Sequence, residues 1–116
     1  MNLIDSFEKT VDLFPDKLAI RDDNFSLSFK ELRNKSKSVS SEISRKYDVI
    51  NRPVAIYLPK SNKALVSMIG ALYSGNCYAP LDIKNPINRI ESILRILRPL
   101  CVITDNKFFK ILEKCN

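Results

Sequence analysis

The sequence predicts an α/β fold, with an N-terminal helix and a β-hairpin followed by a parallel β-α-β-α-β unit. Val54-Ala55-Ile56-Tyr57-Leu58 is apolar without alternation, as a strand covered on both faces is. Two more short apolar runs, Cys77 to Leu81 and Leu100 to Thr104, follow at intervals that each accommodate a helix. Strands joined by connections this long are parallel, with right-handed crossovers. A chain of 116 residues with 45% apolar content buries one core, of the order of 60 to 70% of its unfolded surface.

Taken in order, Leu3, Ile4, Phe7, Val11 and Phe14 recur at near-helical spacing, with Asn2 as the expected N-cap and Pro15 as the stop. Leu18 to Arg21 and Phe25 to Leu27 are short strands joined through Asp22-Asp23-Asn24, a run of turn formers. The next helix start carries a capping box. Ser28 accepts from the orphan amide at Glu31, Glu31 reaches back to the amide of Ser28, and Leu27 and Leu32 occupy the staple positions. Phe29, Leu32, Val39 and Ile43 form its apolar stripe. Ser36, Ser38, Ser40, Ser41 and Ser44 lower its intrinsic helicity, so packing must hold it until it ends near Tyr47.

Pro59 ends the first parallel strand, and Ser61 or Asn62 caps a helix whose Leu65, Met68, Ile69 and Leu72 are expected to be buried. Small residues Gly70, Ala71 and Ser74 permit close approach to a sheet, and Gly75 is placed to take the left-handed conformation that closes the helix. After the strand Cys77 to Leu81, Asn85 is the expected N-cap and Pro86 the first helical residue. Ile87, Ile90, Ile93, Leu94 and Leu97 should face inward, with Arg89, Glu91, Arg95 and Arg98 outward. Pro99 blocks continuation, the third strand follows, and Phe108, Phe109, Ile111 and Leu112 mark a last short helix.

Composition removes several chemistries. There is no histidine, which excludes Ser-His-Asp and Cys-His catalysis and every His-containing zinc site. Cys77, Cys101 and Cys115 are odd in number and far apart, so no disulfide framework is expected. Cys77 and Cys101 lie in apolar runs and read as small buried thiols. The net charge is +6, but the densest basic stretch, Lys30, Arg33, Lys35, Lys37, Arg45 and Lys46, wraps round a helix and has no interleaved aromatics. A solvated face is therefore favoured over nucleic-acid binding. No apolar run approaches the roughly 20 residues of a membrane span, and Met1 to Thr10 lack the pattern of an export signal, so a soluble, cytoplasmic protein is expected.

Phosphate-binding loops are also missing, since the only glycines are Gly70 and Gly75. Lys60, after a strand but without a neighbouring glycine, reads as a surface lysine at a helix start. Asp22 and Asp23 suit a turn better than a cation site. Asp82 and Asp105 follow strands, at the end where open α/β sheets place ligands. A turn or capping role is favoured for both over a catalytic one.

Two stretches carry a family resemblance. Leu27-Ser28-Phe29-Lys30-Glu31-Leu32 resembles the first core motif of the adenylate-forming, AMP-binding ligases, the superfamily of acyl-CoA synthetases and nonribosomal peptide adenylation domains. Leu72 to Asp82 resembles the second, Leu-Lys-Ala-Gly-x-Ala-Tyr-x-Pro-Leu-Asp, matching at Leu72, Gly75, Tyr78, Pro80, Leu81 and Asp82 and departing at Tyr73, Ser74 and Cys77. Flanking segments at Pro15 to Ile20, Val54 to Pro59, Asn85 to Ile90 and Val102 to Asp105 agree in order. The Tyr78-x-Pro80-Leu81-Asp82 ending is closest to amino-acid adenylation domains and D-alanine carrier-protein ligases.

The resemblance implies the start of a ligase N-terminal domain, a single partial domain over residues 1–116. Residues 1–52 supply the helix, hairpin and capped helix, and residues 53–116 the parallel unit. It implies a parent enzyme that uses ATP and Mg²⁺ to join an amino-acid carboxylate to the α-phosphate of ATP, releasing pyrophosphate, and then transfers the aminoacyl group to a carrier-protein thiol. The family's phosphate loop, nucleotide contacts, acid pocket and C-terminal lysine have no counterpart among these residues. No catalytic, cofactor-binding or metal-ligating residue is therefore assigned, and the chain alone is expected to be inactive. The expected partners are the remainder of a ligase, or a second copy through exposed apolar faces. The alternative reading is a non-catalytic, partner-binding module or split subunit derived from such a ligase.

Overall fold

The computed structural model describes residues 3–23 and 25–113. The expected N-cap Asn2, the turn residue Asn24 and Cys115 lie outside the described residues. Helix α1 (Leu3–Leu13) leads into strands β1 (Leu18–Arg21) and β2 (Ser26–Ser28), then α2 (Phe29–Lys46). The parallel unit is β3 (Pro53–Tyr57), α3 (Asn62–Tyr73), β4 (Cys77–Pro80), α4 (Ile87–Leu97) and β5 (Cys101–Thr104), followed by α5 (Asn106–Leu112).

β1 and β2 form the antiparallel ribbon, with a register shift between Leu18 and Ile20. β2 lies one residue later than the apolar pattern suggests, and Ser28 both ends the strand and caps α2. The capping box is formed in both directions, Glu31 N–H to Ser28 Oγ at 3.2 Å and Ser28 N–H to Glu31 Oε1 at 2.9 Å.

In the parallel sheet β3 is central, in the order β4-β3-β5. Alternate residues of β3 serve opposite faces. Val54 packs with Ala71 of α3 and Ile43 of α2, and Ile56 with Ala64. Ala55 and Tyr57 pack with Ile90 of α4 and Phe108 of α5, and the Tyr57 and Phe108 rings meet edge to face at 5.4 Å. The first crossover thus lies on one face and the second on the other, as two right-handed connections running in opposite directions require.

Helix α3 corrects the expected burial. Its fully buried residues are Asn62, Ala64, Val66, Ser67, Gly70 and Ala71, whereas Leu65, Met68, Ile69 and Leu72 are only half-buried. The small-residue face makes the tightest contacts, because it lies against both the sheet and α2. Gly70 approaches α2, not the sheet: a Cβ there would stand 2.7 Å from Val39 Cβ and Cγ1 and 2.9 Å from the Ser36 carbonyl oxygen. Ser36, fully buried on α2, belongs to the same crossing.

Two further expectations are corrected. Pro86, extended at ψ 153°, is the N-cap of α4, and its carbonyl accepts from Arg89 and Ile90, so the helix begins at Ile87 and not at Pro86. Asn85 is held one step earlier, donating its amide to the Asp82 carbonyl at 3.1 Å. Ile87 consequently sits at the open end of the helix and is exposed, while Ile90 is buried. Cys77 is exposed, not buried, because β4 is an edge strand; Cys101 is half-buried on β5.

Candidate functional site

The join from α3 to β4 lies in the second family-like stretch, and its backbone explains the glycine. Gly75 has φ +83°, the left-handed region, and its carbonyl accepts from Asn51 N–H at 2.9 Å. Asn76 N–H returns to the Ala71 carbonyl at 3.1 Å, closing the helix. A side chain at Gly75 would also press on Ile50, whose Cγ2 lies 2.9 Å from the Cβ position.

Two of the departures from the family pattern at this join, Ser74 and Tyr73, are absorbed by hydrogen bonds. Ser74 Oγ donates to the Ala71 carbonyl at 2.6 Å and accepts from Asn76 Nδ2 at 3.0 Å. Asn76 Oδ1 accepts from the amide of Arg52 at 3.0 Å, which ties the helix end to the start of β3. Tyr73 donates its hydroxyl to Glu8 of α1, and Glu8 also meets Arg33 at 3.3 Å and Lys37 at 3.5 Å on α2. The Tyr73 hydroxyl lowers the Glu8 pKa below the usual carboxylate value, and Lys37 and Arg33 add to the effect. Burial and the adjacent carboxylate raise the Tyr73 phenol. This cluster fastens α1 to both α2 and α3. Sequence reading passed over it because its members are far apart in the chain; the tyrosine at a position the family pattern gives to lysine was the available signal.

The second location is the carboxyl end of the sheet. The chain leaves β3 toward α3 on one face and leaves β5 toward α5 on the other, so a crevice opens between those two strand ends, where open α/β sheets bind ligands. A crevice of about 740 Å³ occurs there, with Leu58, Ile103 and Val39 among its apolar walls and Lys35, Lys63 and Asp105 among its polar residues.

Several polar side chains at this end are engaged by the backbone. Asp105 caps α5, accepting from Phe108 N–H at 2.9 Å, and Asp82 closes a turn by accepting from Lys84 N–H at 2.9 Å. Thr104 Oγ1 donates to the Tyr57 carbonyl at 2.8 Å. Ser61, not Asn62, is the N-cap of α3, accepting from Ala64 N–H at 3.2 Å. Asp22 accepts from Phe25 N–H at 2.9 Å and from the α3 amide of Asn62 at 2.8 Å, joining the hairpin to the parallel unit. Asp82 and Asp105 therefore have the turn and capping roles their positions suggested, and Lys60 is exposed at the helix start.

Residues 7–116 match the family described as AMP-binding enzyme. The chain belongs to the AMP-binding enzyme family. It is 32% identical over 104 residues to a dimodular nonribosomal peptide synthase of Bacillus subtilis (strain 168), covering 90% of this chain and 4% of that protein. It is 28% identical over 107 residues to tyrocidine synthase 1 of Brevibacillus parabrevis, covering 92% of this chain and 10% of that protein. Among solved structures it resembles the Klebsiella oxytoca NpsA N-terminal subdomain at TM-score 0.80 and 18% identity, over 98% of this chain and 33% of that one. The complex of VinN with L-aspartate gives TM-score 0.90 at 20% identity, over 97% of this chain and 32% of that one. The chain thus spans a small part of its curated relatives and about a third of these folds.

An AMP-binding family implies ATP and Mg²⁺, and the residues described here do not fit that pair. Gly70 is buried against α2 and Gly75 closes a helix, so neither presents amides to a phosphate. Among the described residues no three of His, Cys, Asp and Glu come together as metal ligands. No described helix is long and apolar enough to cross a membrane.

Proposed function

We propose that this chain is the opening part of the N-terminal domain of an amino-acid-activating, adenylate-forming ligase, and that residues 1–116 make up one partial domain of it. The parent reaction is attack of an amino-acid carboxylate on the α-phosphate of ATP, giving aminoacyl-AMP and pyrophosphate, followed by transfer to a carrier-protein thiol. One observation carries this reading: the family match runs through residues 7–116, while the nonribosomal peptide synthases that share it are many times longer. ATP and Mg²⁺ are held by other parts of such an enzyme, which works in the cytoplasm with a carrier protein as partner.

The chain's own contribution is architectural. Its two family motifs are a helix cap and a helix-to-strand join, and their polar groups bond the backbone. Catalysis of adenylate formation depends on groups that clamp phosphates as charge moves, so the isolated chain should not form an adenylate. Purified chain assayed for amino-acid-dependent ATP/pyrophosphate exchange with each of the common amino acids should give the rate of the protein-free blank. Exchange above that blank would refute the proposal.

A further inference from the structure

Helix α1 rests on α2 and α3 through few buried groups. Of its described residues only Val11 is fully buried. Phe7 meets the Phe29 ring at 6.5 Å and the Tyr73 ring edge to face at 6.3 Å. Beneath the first two turns the packing is incomplete. A cavity of about 190 Å³ lies between Leu3, Ile4 and Phe7 on α1 and Leu65, Met68 and Leu72 on α3. Its walls forgo the dispersion contacts that a filled seam would make.

A polar cluster spans that seam. Glu8 accepts the Tyr73 hydroxyl from α3 and meets Arg33 at 3.3 Å and Lys37 at 3.5 Å on α2. Lys37 Nζ also stands 5.6 Å from the centre of the Tyr73 ring, and Asp12 on α1 shares Arg33 at 3.4 Å. Hydrogen bonds to an ionised partner are the strong ones. Tyr73 is one of this chain's departures from the family-like motif, which has lysine there.

The chain just past α1 is pinned separately. The Lys30 N–H bonds the Pro15 carbonyl at 2.9 Å, and the Phe29 N–H bonds the Lys17 carbonyl at 3.0 Å. Neither bond involves a residue of α1, so Pro15 is a fixed pivot from which the helix can lift. A helix of 11 residues is marginal in water without its packing, so α1 unwinds as it leaves.

We propose that α1 is a releasable strap, pivoting at Pro15, which the Glu8–Tyr73 latch holds over the apolar face of α3 formed by Leu65, Met68 and Leu72. The inference goes beyond the ligase reading and does not depend on it. Release is linked to pH. The Tyr73 hydroxyl, with Lys37 and Arg33, holds the Glu8 pKa below its ordinary 4.5. The latch is therefore complete above that value and weakens as pH falls through the folded pKa.

Hydrogen exchange of the 116-residue chain over a series of urea concentrations tests this. Relative to intrinsic rates, the α1 amides from Phe7 to Val11 should exchange at least about tenfold faster than those of β3, with a weaker dependence on urea. Tyr73→Phe keeps the ring and removes the hydroxyl, and it should accelerate α1 exchange by about tenfold. Ile90→Val, on the far side of the sheet, should accelerate β3 exchange several-fold and leave α1 unchanged. Acidification below 4.5 should speed α1 relative to β3 in the parent and not in Glu8→Gln.

One urea dependence shared by α1 and β3 in the unaltered chain would overturn the inference, because α1 would then leave only with the whole fold. That measurement stands whether or not a variant folds. Unchanged α1 exchange in Tyr73→Phe would reduce its openings to fraying and overturn it too, as would equal acid acceleration in the parent and Glu8→Gln.

Discussion

Gly70→Ala should destabilise the fold, although a glycine inside a helix ordinarily invites the opposite result. In an isolated helix the replacement stabilises by about 1 kcal/mol. Here the added Cβ would lie 2.7 Å from Val39 Cβ and Cγ1 and 2.9 Å from the Ser36 carbonyl oxygen, one of them backbone and the others close to it. Ordinary carbon contacts begin near 3.5 Å, so α3 must retreat from α2 by roughly 0.8 Å or more. That movement loosens Val66 from Leu27 and Leu32 and draws Ala71 away from Ile43 and Val54. Overpacking of this kind costs about 1 to 3 kcal/mol, and the crossing of two backbones puts Gly70 at the upper end. After subtracting the propensity gain, a net loss of about 2 kcal/mol is expected, a fall in melting temperature on the order of 10 °C for a chain of this size. Urea titration followed by circular dichroism measures it. Val39→Ala in the same background removes the Cγ1 contact but leaves the other two, so it should restore only part of the loss. An alanine variant as stable as the parent would refute the close-approach reasoning.

Four smaller predictions use the same titration. Ser36→Ala should stabilise by about 1 kcal/mol, because Ser36 Oγ is buried without a hydrogen-bond partner and alanine also suits the helix better. Tyr73→Phe should cost about 1.5 kcal/mol at neutral pH by removing a hydroxyl that donates to a carboxylate, discounted for its partial exposure. Glu8 has a folded pKa below its ordinary 4.5, so its contribution is present above that value and is lost as pH falls through the folded pKa. The stability difference between parent and Glu8→Gln should therefore shrink on acidification below 4.5; a difference that stays constant would dissociate the cluster from the carboxylate's charge. Arg98→Gly should stabilise by roughly 1 kcal/mol, since Arg98 is an exposed C-cap at φ 48° and its carbonyl can still accept from Arg52.

Features written within a few residues were legible in the sequence. Ser28 and Glu31 announced their reciprocal bonds, Gly75 its positive φ, and the run from Val54 to Leu58 its cover on both faces. Features set by where elements meet were not. Cys77 looks buried in its local sequence, yet it is exposed because β4 is the end of the sheet. The small-residue face of α3 could be read as a close-packing surface, but whether it met the sheet or α2 depended on a helix more than twenty residues away. The Glu8 cluster likewise joins three helices whose order gives no hint of their contact.

The same distinction explains how this chain can be recognisable by family through stretches whose visible work is structural. A motif identifies a family when its residues are constrained, and constraint can come from backbone geometry as readily as from chemistry. At the join, Gly75 is required by a left-handed turn, and Pro80 ends the strand. Ser74, a departure from the family pattern, and Asn76, at its variable position, satisfy the buried groups around them. These roles all serve to place β4 beside β3. The carboxylates beyond β4 and β5 are in the position where ligands bind, and each accepts from one backbone amide through Oδ1. What the described residues build here is the rigid frame of a sheet, with β3 held between β4 and β5.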